Sequence, residues 1–279
     1  MTAEAFVVIR AERPMESPEA YYVHCREAGR MMKIQTATVI TGSEIPSGDG
    51  LSGAMRCVIV LPDGTRRAAI LKRGPVGEIA AEAFAAIVLN AWGLPVPEPF
   101  LVDEPAGPAF ASSDVGYPNL KKRLALDALP SGPAKDAATR IAVELAMQLP
   151  TTPLAAVVDE AIDNRDRNLG NILWDGQAEA WIDHALALGE YPTGYPDRNK
   201  LCDMAQMVGD HDRVSRAAIG QALAVGAAPL LPASHAMPAN LRNKDYAAYV
   251  AARLSNLANR LLDRFPKPAD LLTNANQQP

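Results

Sequence analysis

The stretch DNRDRNLGNILWDGQAEAWID, Asp163–Asp183, decides the reading of this chain. It opens on DNRDRNLGN, turn formers and charges with no apolar period. Ile172–Trp174 and Ala180–Asp183 then flank Asp175-Gly176, which reads as a β-hairpin. If Trp174 pairs with Glu179 across the turn, Asn171 lies opposite residue 182 or 183. The fold-back brings Asn171 and Asp183 to the open end of the hairpin, and Asp166 stands five residues ahead of Asn171. An acid, an amide and a second acid converge with no long-range assumption. All are hard oxygen donors, suited to Mg²⁺ rather than zinc. The plainer reading is a solvated loop whose Asp and Asn side chains make turns. The stretch alone leaves both open.

Upstream, two apolar runs, 56–62 and 66–72, flank Pro62-Asp63-Gly64, a strong hairpin signal. Lys72 closes the second run, as an edge charge or as half of an ion pair. A helix is expected over 77–91, closed by Gly93 and barred from continuing by Pro95 and Pro97. Glu82 sits among its Ala and Phe residues, where a buried acid needs a partner. Lys72 can supply it, and Glu78, one turn earlier, competes for that lysine. Residues 41–54 are rich in Gly and Ser and read as a flexible loop between strands. Within it, Gly48, Gly50, Ser52 and Gly53 could lay backbone N–H groups on a phosphate, or simply connect. No GxxxxGK[ST] motif occurs.

Elsewhere in the chain a strand is expected at 5–9, a helix from Ser17 to Gly29, and strands at 34–40, 98–103 and 109–112. Helices follow at 134–149 and 153–162, and most of 197–265 reads as helix. Tyr246, Val250, Leu254, Leu257, Leu261 and Phe265 make one core-facing stripe over 245–265. The expected fold class is α+β: an N-terminal extension (1–33), a small β-rich lobe (34–108), a mainly helical lobe (109–270) and a flexible tail (271–279). A ligand cleft is expected between the lobes.

With 279 residues the chain can bury a real core without staples. Its 27 basic residues against 32 acidic ones give a net charge of −5, which argues against a nucleic-acid binder. Cys25, Cys57 and Cys202 form no CxxC pair, which excludes a zinc ribbon. No apolar run is long enough for a membrane span. The start MTAEAFVVIRAERP lacks the pattern of a signal peptide, so a cytoplasmic location and no membrane partner are expected.

Taken together, a Gly-rich loop, a strand ending in lysine, a helix with a glutamate, D-x-x-x-x-N and a strand-end Asp are the parts of a phosphoryl-transfer site. DRNLGNILWDGQAEAWIDHALAL resembles the catalytic and metal-binding segment shared by HipA-like kinases and phosphatidylinositol kinases. IQTATVI…GDGLSG…AAILK…AAEAFAAIVLNAWGLPVPEPFLV resembles the N-lobe of short, single-chain HipA-like kinases. The resemblance covers about residues 34–188 and implies a two-lobed protein kinase-like fold using ATP and Mg²⁺. It implies Asp166 as catalytic base, Asn171 and Asp183 as metal ligands, Lys72 on the α/β phosphates oriented by Glu82, and the Gly48–Gly53 loop over the phosphates. It also implies a hydroxyl substrate, on a protein or a small molecule, and an antitoxin or regulator as candidate partner. His184 would support the site or pack within the loop, and Asp163 would hold the loop or serve as an auxiliary acid. Ser43, Ser47 and Ser52 are candidate self-modification positions. The departures are the loop wording SGDGLSG and the positions after Asp166-Arg167, where Asn168 and Leu169 stand instead of His or Lys. A lipid or small-molecule kinase, a nucleotide-binding pseudokinase and a nucleotidyl transferase remain alternatives.

Overall fold

The computed structural model describes residues 32–48, 53–242 and 244–267. The strand expected at 5–9, the helix from Ser17, Gly50, Ser52 and the tail 271–279 lie outside them.

β3 (Met55–Val60) and β4 (Arg66–Lys72) pair antiparallel from Met55↔Leu71 to Val60↔Arg66. The turn works as its residues dictate: Gly64 takes a φ of 84°, and Asp63 Oδ1 accepts the Thr65 amide at 2.8 Å. β5 (Pro99–Glu104) and β6 (Gly107–Ser113) form a second hairpin, and β6 pairs with β4. β1 (Gln35–Val39) runs parallel to β5 and antiparallel to β3, so these five strands close on themselves. Closure leaves few edge groups unpaired. Inside lie Cys57, Ile59, Leu71, Phe100 and Ala111, a cluster of their own. Leu101 and Phe110, one pleat over, join the main core instead.

That main core begins with α1 (Val76–Ala91), buried at every position from Ile79 to Leu89. A helix apolar on all sides must be covered on all sides. Its alanines let the sheet approach one side and the helical lobe another. Gly93 ends it at a φ of 85°, with the Leu94 amide donating to Leu89 O at 3.0 Å.

The helical lobe contains α2 (Leu120–Arg123), α3 (Pro133–Gln148), α4 (Thr152–Ala161), the hairpin β7 (Ile172–Trp174) and β8 (Glu179–Trp181), α5 (Lys200–Val208), α6 (His211–Ala222), α7 (Leu230–Ala236), α8 (Tyr246–Leu254) and α9 (Leu257–Asp263). One hydrophobic cluster runs from α1 to α9. The architecture is α+β, a β-rich lobe followed by a helical one. Among the described residues no single helix is long and apolar enough to cross a membrane.

Three details differ from the sequence expectations. The stripe over 245–265 is two helices, broken at Ser255-Asn256. Ser255 Oγ bonds back to Ala252 O and Asn256 Oδ1 takes the Asn259 side chain, so local polar bonds compete with the helix. Tyr246, Val250, Leu257, Leu261 and Phe265 are nonetheless buried. Within 41–54 a short strand, β2 (Ile45–Pro46), pairs with β3. A lobe boundary at 108 falls inside β6, whose Phe110 is registered with Lys72.

Candidate active site

The hairpin after the DNRDRNLGN loop has the register Trp174↔Glu179 and Ile172↔Trp181. The ladder extends one step further, the Ile182 amide donating to Asn171 O at 3.1 Å. Asp183 follows in the left-handed region at φ 69°, uncommon for a residue with a side chain and costly unless its surroundings hold it. They do: Asp183 Oδ2 accepts from Asn171 Nδ2 at 3.0 Å, and Oδ1 from Lys72 Nζ at 2.8 Å.

Lys72 does not lie on an edge; β4 is flanked by β3 and β6. Its ammonium pairs with Glu82 Oε1 at 2.5 Å, and Glu78 makes no ion pair with it. Glu82 Oε2 accepts the His184 backbone N–H at 2.9 Å. One carboxylate on α1 thereby ties the strand lysine to the residue after Asp183. Glu82 and His184 are 3 % and 2 % exposed, so this link is dry. Burial alone would pull the Lys72 ammonium down, but the Glu82 and Asp183 carboxylates outweigh it and hold it above the usual lysine value. Burial would raise Glu82; Lys72 and then His184 hold it well below the ordinary carboxylate range.

Asp166 is held differently. Its Oδ1 accepts from Lys200 Nζ and from Tyr195 OH, both at 2.7 Å. The loop beneath it rests on Arg167, which is fully buried. Arg167 forks onto Asp159 of α4 (Nε–Oδ2 2.9 Å, Nη2–Oδ1 2.7 Å) and donates to Ile182 O at 2.7 Å. Asn164 Nδ2 donates to the same Asp159 at 2.9 Å. Asp163, also in the left-handed region, binds Arg165, Tyr191 and Tyr249. It lies outside the cleft lining, the loop-holding alternative of the two its sequence left open.

A cleft of about 660 Å³ lies between the sheet and the helical lobe. It is lined by Lys72, Glu82, Asp166, Asn171 and Asp183 on its polar side and by groups such as Ile70 and Leu173 on its apolar side. Gly48 lines it; Gly53 does not, although its neighbour Ala54 does. The donor set suits a hard cation: the Asp183 carboxylate, 40 % exposed, and the Asn171 amide oxygen stand at the open end of the hairpin. Among the described residues no three His, Cys, Asp or Glu side chains gather into a cage. Mg²⁺ characteristically takes one or two protein oxygens and completes its shell from phosphates and water.

Several residues that build this site stand outside the set expected from the sequence. Asp159 and Glu160 stand in the apolar run AAVVDEAI and are buried, the same signal that singled out Glu82. Glu160 draws in Arg253, Arg260 and Arg264 from the C-terminal helices. Tyr195 and Lys200 carry no local signal at all.

The closed five-stranded sheet bearing one buried helix above a helical lobe, with a lysine–glutamate pair and a carboxyl–amide hairpin facing one cleft, has a kinase-like fold. By structure the chain is similar to the Helicobacter pylori proinflammatory kinase CtkA, with a TM-score of 0.52 over 82 % of this chain and 99 % of that one, at 12 % identity. It is also similar to Shewanella oneidensis MR-1 HipA, seen in a toxin–antitoxin complex with HipB and operator DNA. That match has a TM-score of 0.48 and 12 % identity over 94 % of this chain and 74 % of the other. No family model and no curated protein matches the sequence.

Proposed function

We propose that this protein is an ATP- and Mg²⁺-dependent kinase that transfers the γ-phosphoryl group to a hydroxyl, on a Ser or Thr side chain of a protein. The observation that carries the reading is the hydrogen-bonded chain Glu82–Lys72–Asp183–Asn171, with Asp166 lining the same cleft. Phosphoryl transfer needs little covalent help from a protein and much positioning and charge. Lys72, fixed by Glu82, presents its ammonium to the α/β phosphates. Asn171 and Asp183 offer oxygens to the metal. Mg²⁺ held there would offset the charge of the phosphates. Gly48 lines the cleft and would offer its backbone N–H to the phosphates. The acceptor oxygen bonds to the γ-phosphorus as the bond to the bridging oxygen breaks, ADP leaves, and the hydroxyl proton passes to Asp166.

The test is label transfer from γ-labelled Mg-ATP into lysate proteins or the chain itself, with the mass of the product read as phosphate or AMP. Asp166→Ala and Asp183→Ala are each expected to lower transfer by about 10²-fold or more while the unfolding midpoint holds. Wild-type transfer in either variant sinks the assignment, and an AMP adduct replaces it with nucleotidyl transfer.

A further inference from the structure

The positions after Asp166-Arg167 hold no lysine, and Arg167 is committed to buried Asp159. The cation at Asp166 comes instead from 34 residues downstream. Lys200 opens α5, and its root is fixed by the core rather than by Asp166. Asn199, 1 % exposed, donates its side-chain amide to Ala156 O at 2.8 Å and caps Leu201 N–H with its oxygen. Leu201 and Cys202 are fully buried. Tyr195 is anchored separately, its carbonyl accepting from Arg165 Nη1 at 3.1 Å while Arg165 forks onto Asp163. Both donors converge on one oxygen, Oδ1. Among the described residues Oδ2 takes no hydrogen bond, and Asp166 lines the cleft.

We propose that Lys200, assisted by Tyr195, is the positioning residue for Asp166: it pins Oδ1 and so leaves Oδ2 aimed to take the proton of the attacking hydroxyl. This rests on the phosphotransfer reading and deepens it. An aspartate free to turn about its Cβ–Cγ bond spends time with neither oxygen in reach, and geometry precedes basicity in a general base. A charge-assisted bond from a root fixed in the core removes that freedom. The arrangement also sets ionisation. Burial would raise the Asp166 carboxyl, but the hydrogen bonds from Lys200 and Tyr195, with Arg167 behind them, hold it below the ordinary value. Lys72, Glu82, Asp183 and Glu78 line the same cleft, and a change at residue 200 leaves them in place.

Two measurements on the full chain test the role. Carboxyl-carbon NMR, with the Asp166 resonance assigned by its loss in Asp166→Asn, follows ionisation whether or not label is transferred. Lys200→Met is expected to move that titration upward, and Lys200→Arg to keep it near wild type; an unmoved midpoint in Lys200→Met overturns the proposal. Kinetics with γ-labelled Mg-ATP should show Lys200→Met lowering kcat by about 10²-fold. KM for ATP should stay within about twofold, the acid limb of kcat should rise to higher pH, and Lys200→Arg should recover most of the rate. A kcat near wild type, or a loss carried by KM, overturns the proposal while the phosphotransfer reading stands. Should Lys200→Met lower the unfolding midpoint, Tyr195→Phe, which removes one hydroxyl, carries the same titration test. Absence of label transfer by the wild type overturns the phosphotransfer reading, and the catalytic role of Lys200 with it.

Discussion

Buried Arg167 shows how single residues hold this site. Its guanidinium and Asp159 are both wholly out of water, and an ion taken from water is tolerated only when paired and hydrogen-bonded. The pair fixes the backbone that carries Asp166 at one end and Asn171 at the other. Asp159→Ala strands the arginine charge, and denaturant unfolding is expected to show a loss of about 3–5 kcal/mol. A loss below about 1 kcal/mol would mean that water reaches Arg167. Residues of this kind are legible only in part. Lys72 and Glu82 stand out because a charge at the end of an apolar strand or inside an alanine helix needs an explanation, and each explains the other. Asp183 stands out because a hairpin register fixes its neighbour. Lys200 does not stand out, since a lysine after an asparagine at a helix start is ordinary; only the folding of 34 residues between it and Asp166 gives it a role.

At the scale of elements, α1 does the coupling. Its middle carries Glu82, and its start meets the helical lobe. A Cβ at Gly77 would stand 2.3 Å from Glu190 Oε2. Glu190 is held there by Lys244 Nζ, which bonds its Oε1 at 2.5 Å, and by Tyr246 OH, 2.9 Å from the same atom. Alanine is better than glycine in a helix by about 1 kcal/mol, so Gly77→Ala should stabilise on propensity alone. The contact reverses that sign: the expected change is a loss of about 1–3 kcal/mol in urea unfolding. Adding Glu190→Ala should recover most of it. A stabilised single variant would show that Glu190 swings away. The helix itself was readable from its alanines and its Gly93 stop. The break in the 245–265 stripe was not, because apolar spacing carries across Ser255-Asn256 while the side chains there bond locally.

At the scale of the molecule, the cleft draws its lining from both lobes, so a ligand in it stabilises the sheet and the helices together. Mg-ATP at about a hundred times its Kd should add about 2.7 kcal/mol. For a chain of this size that is a rise in melting temperature of about 5–10 °C. Asp183→Ala should abolish the Mg²⁺-dependent part of the rise; a full shift in that variant would place the nucleotide elsewhere. Local rules set most of the described elements, their order, the hairpins at 56–72 and 172–183 and the α+β class, because those follow from apolar period, turn residues and short-range pairing. They also brought Asp166, Asn171 and Asp183 into one neighbourhood, since a hairpin is a local object. Long-range packing settled what no local rule reaches. It closed the sheet by pairing β1 with both β5 and β3, chose Glu82 over Glu78 for Lys72, and brought Lys200 to Asp166. The physical reason is the same in each case: packing of the shared core, not the character of either segment, sets which groups come within reach.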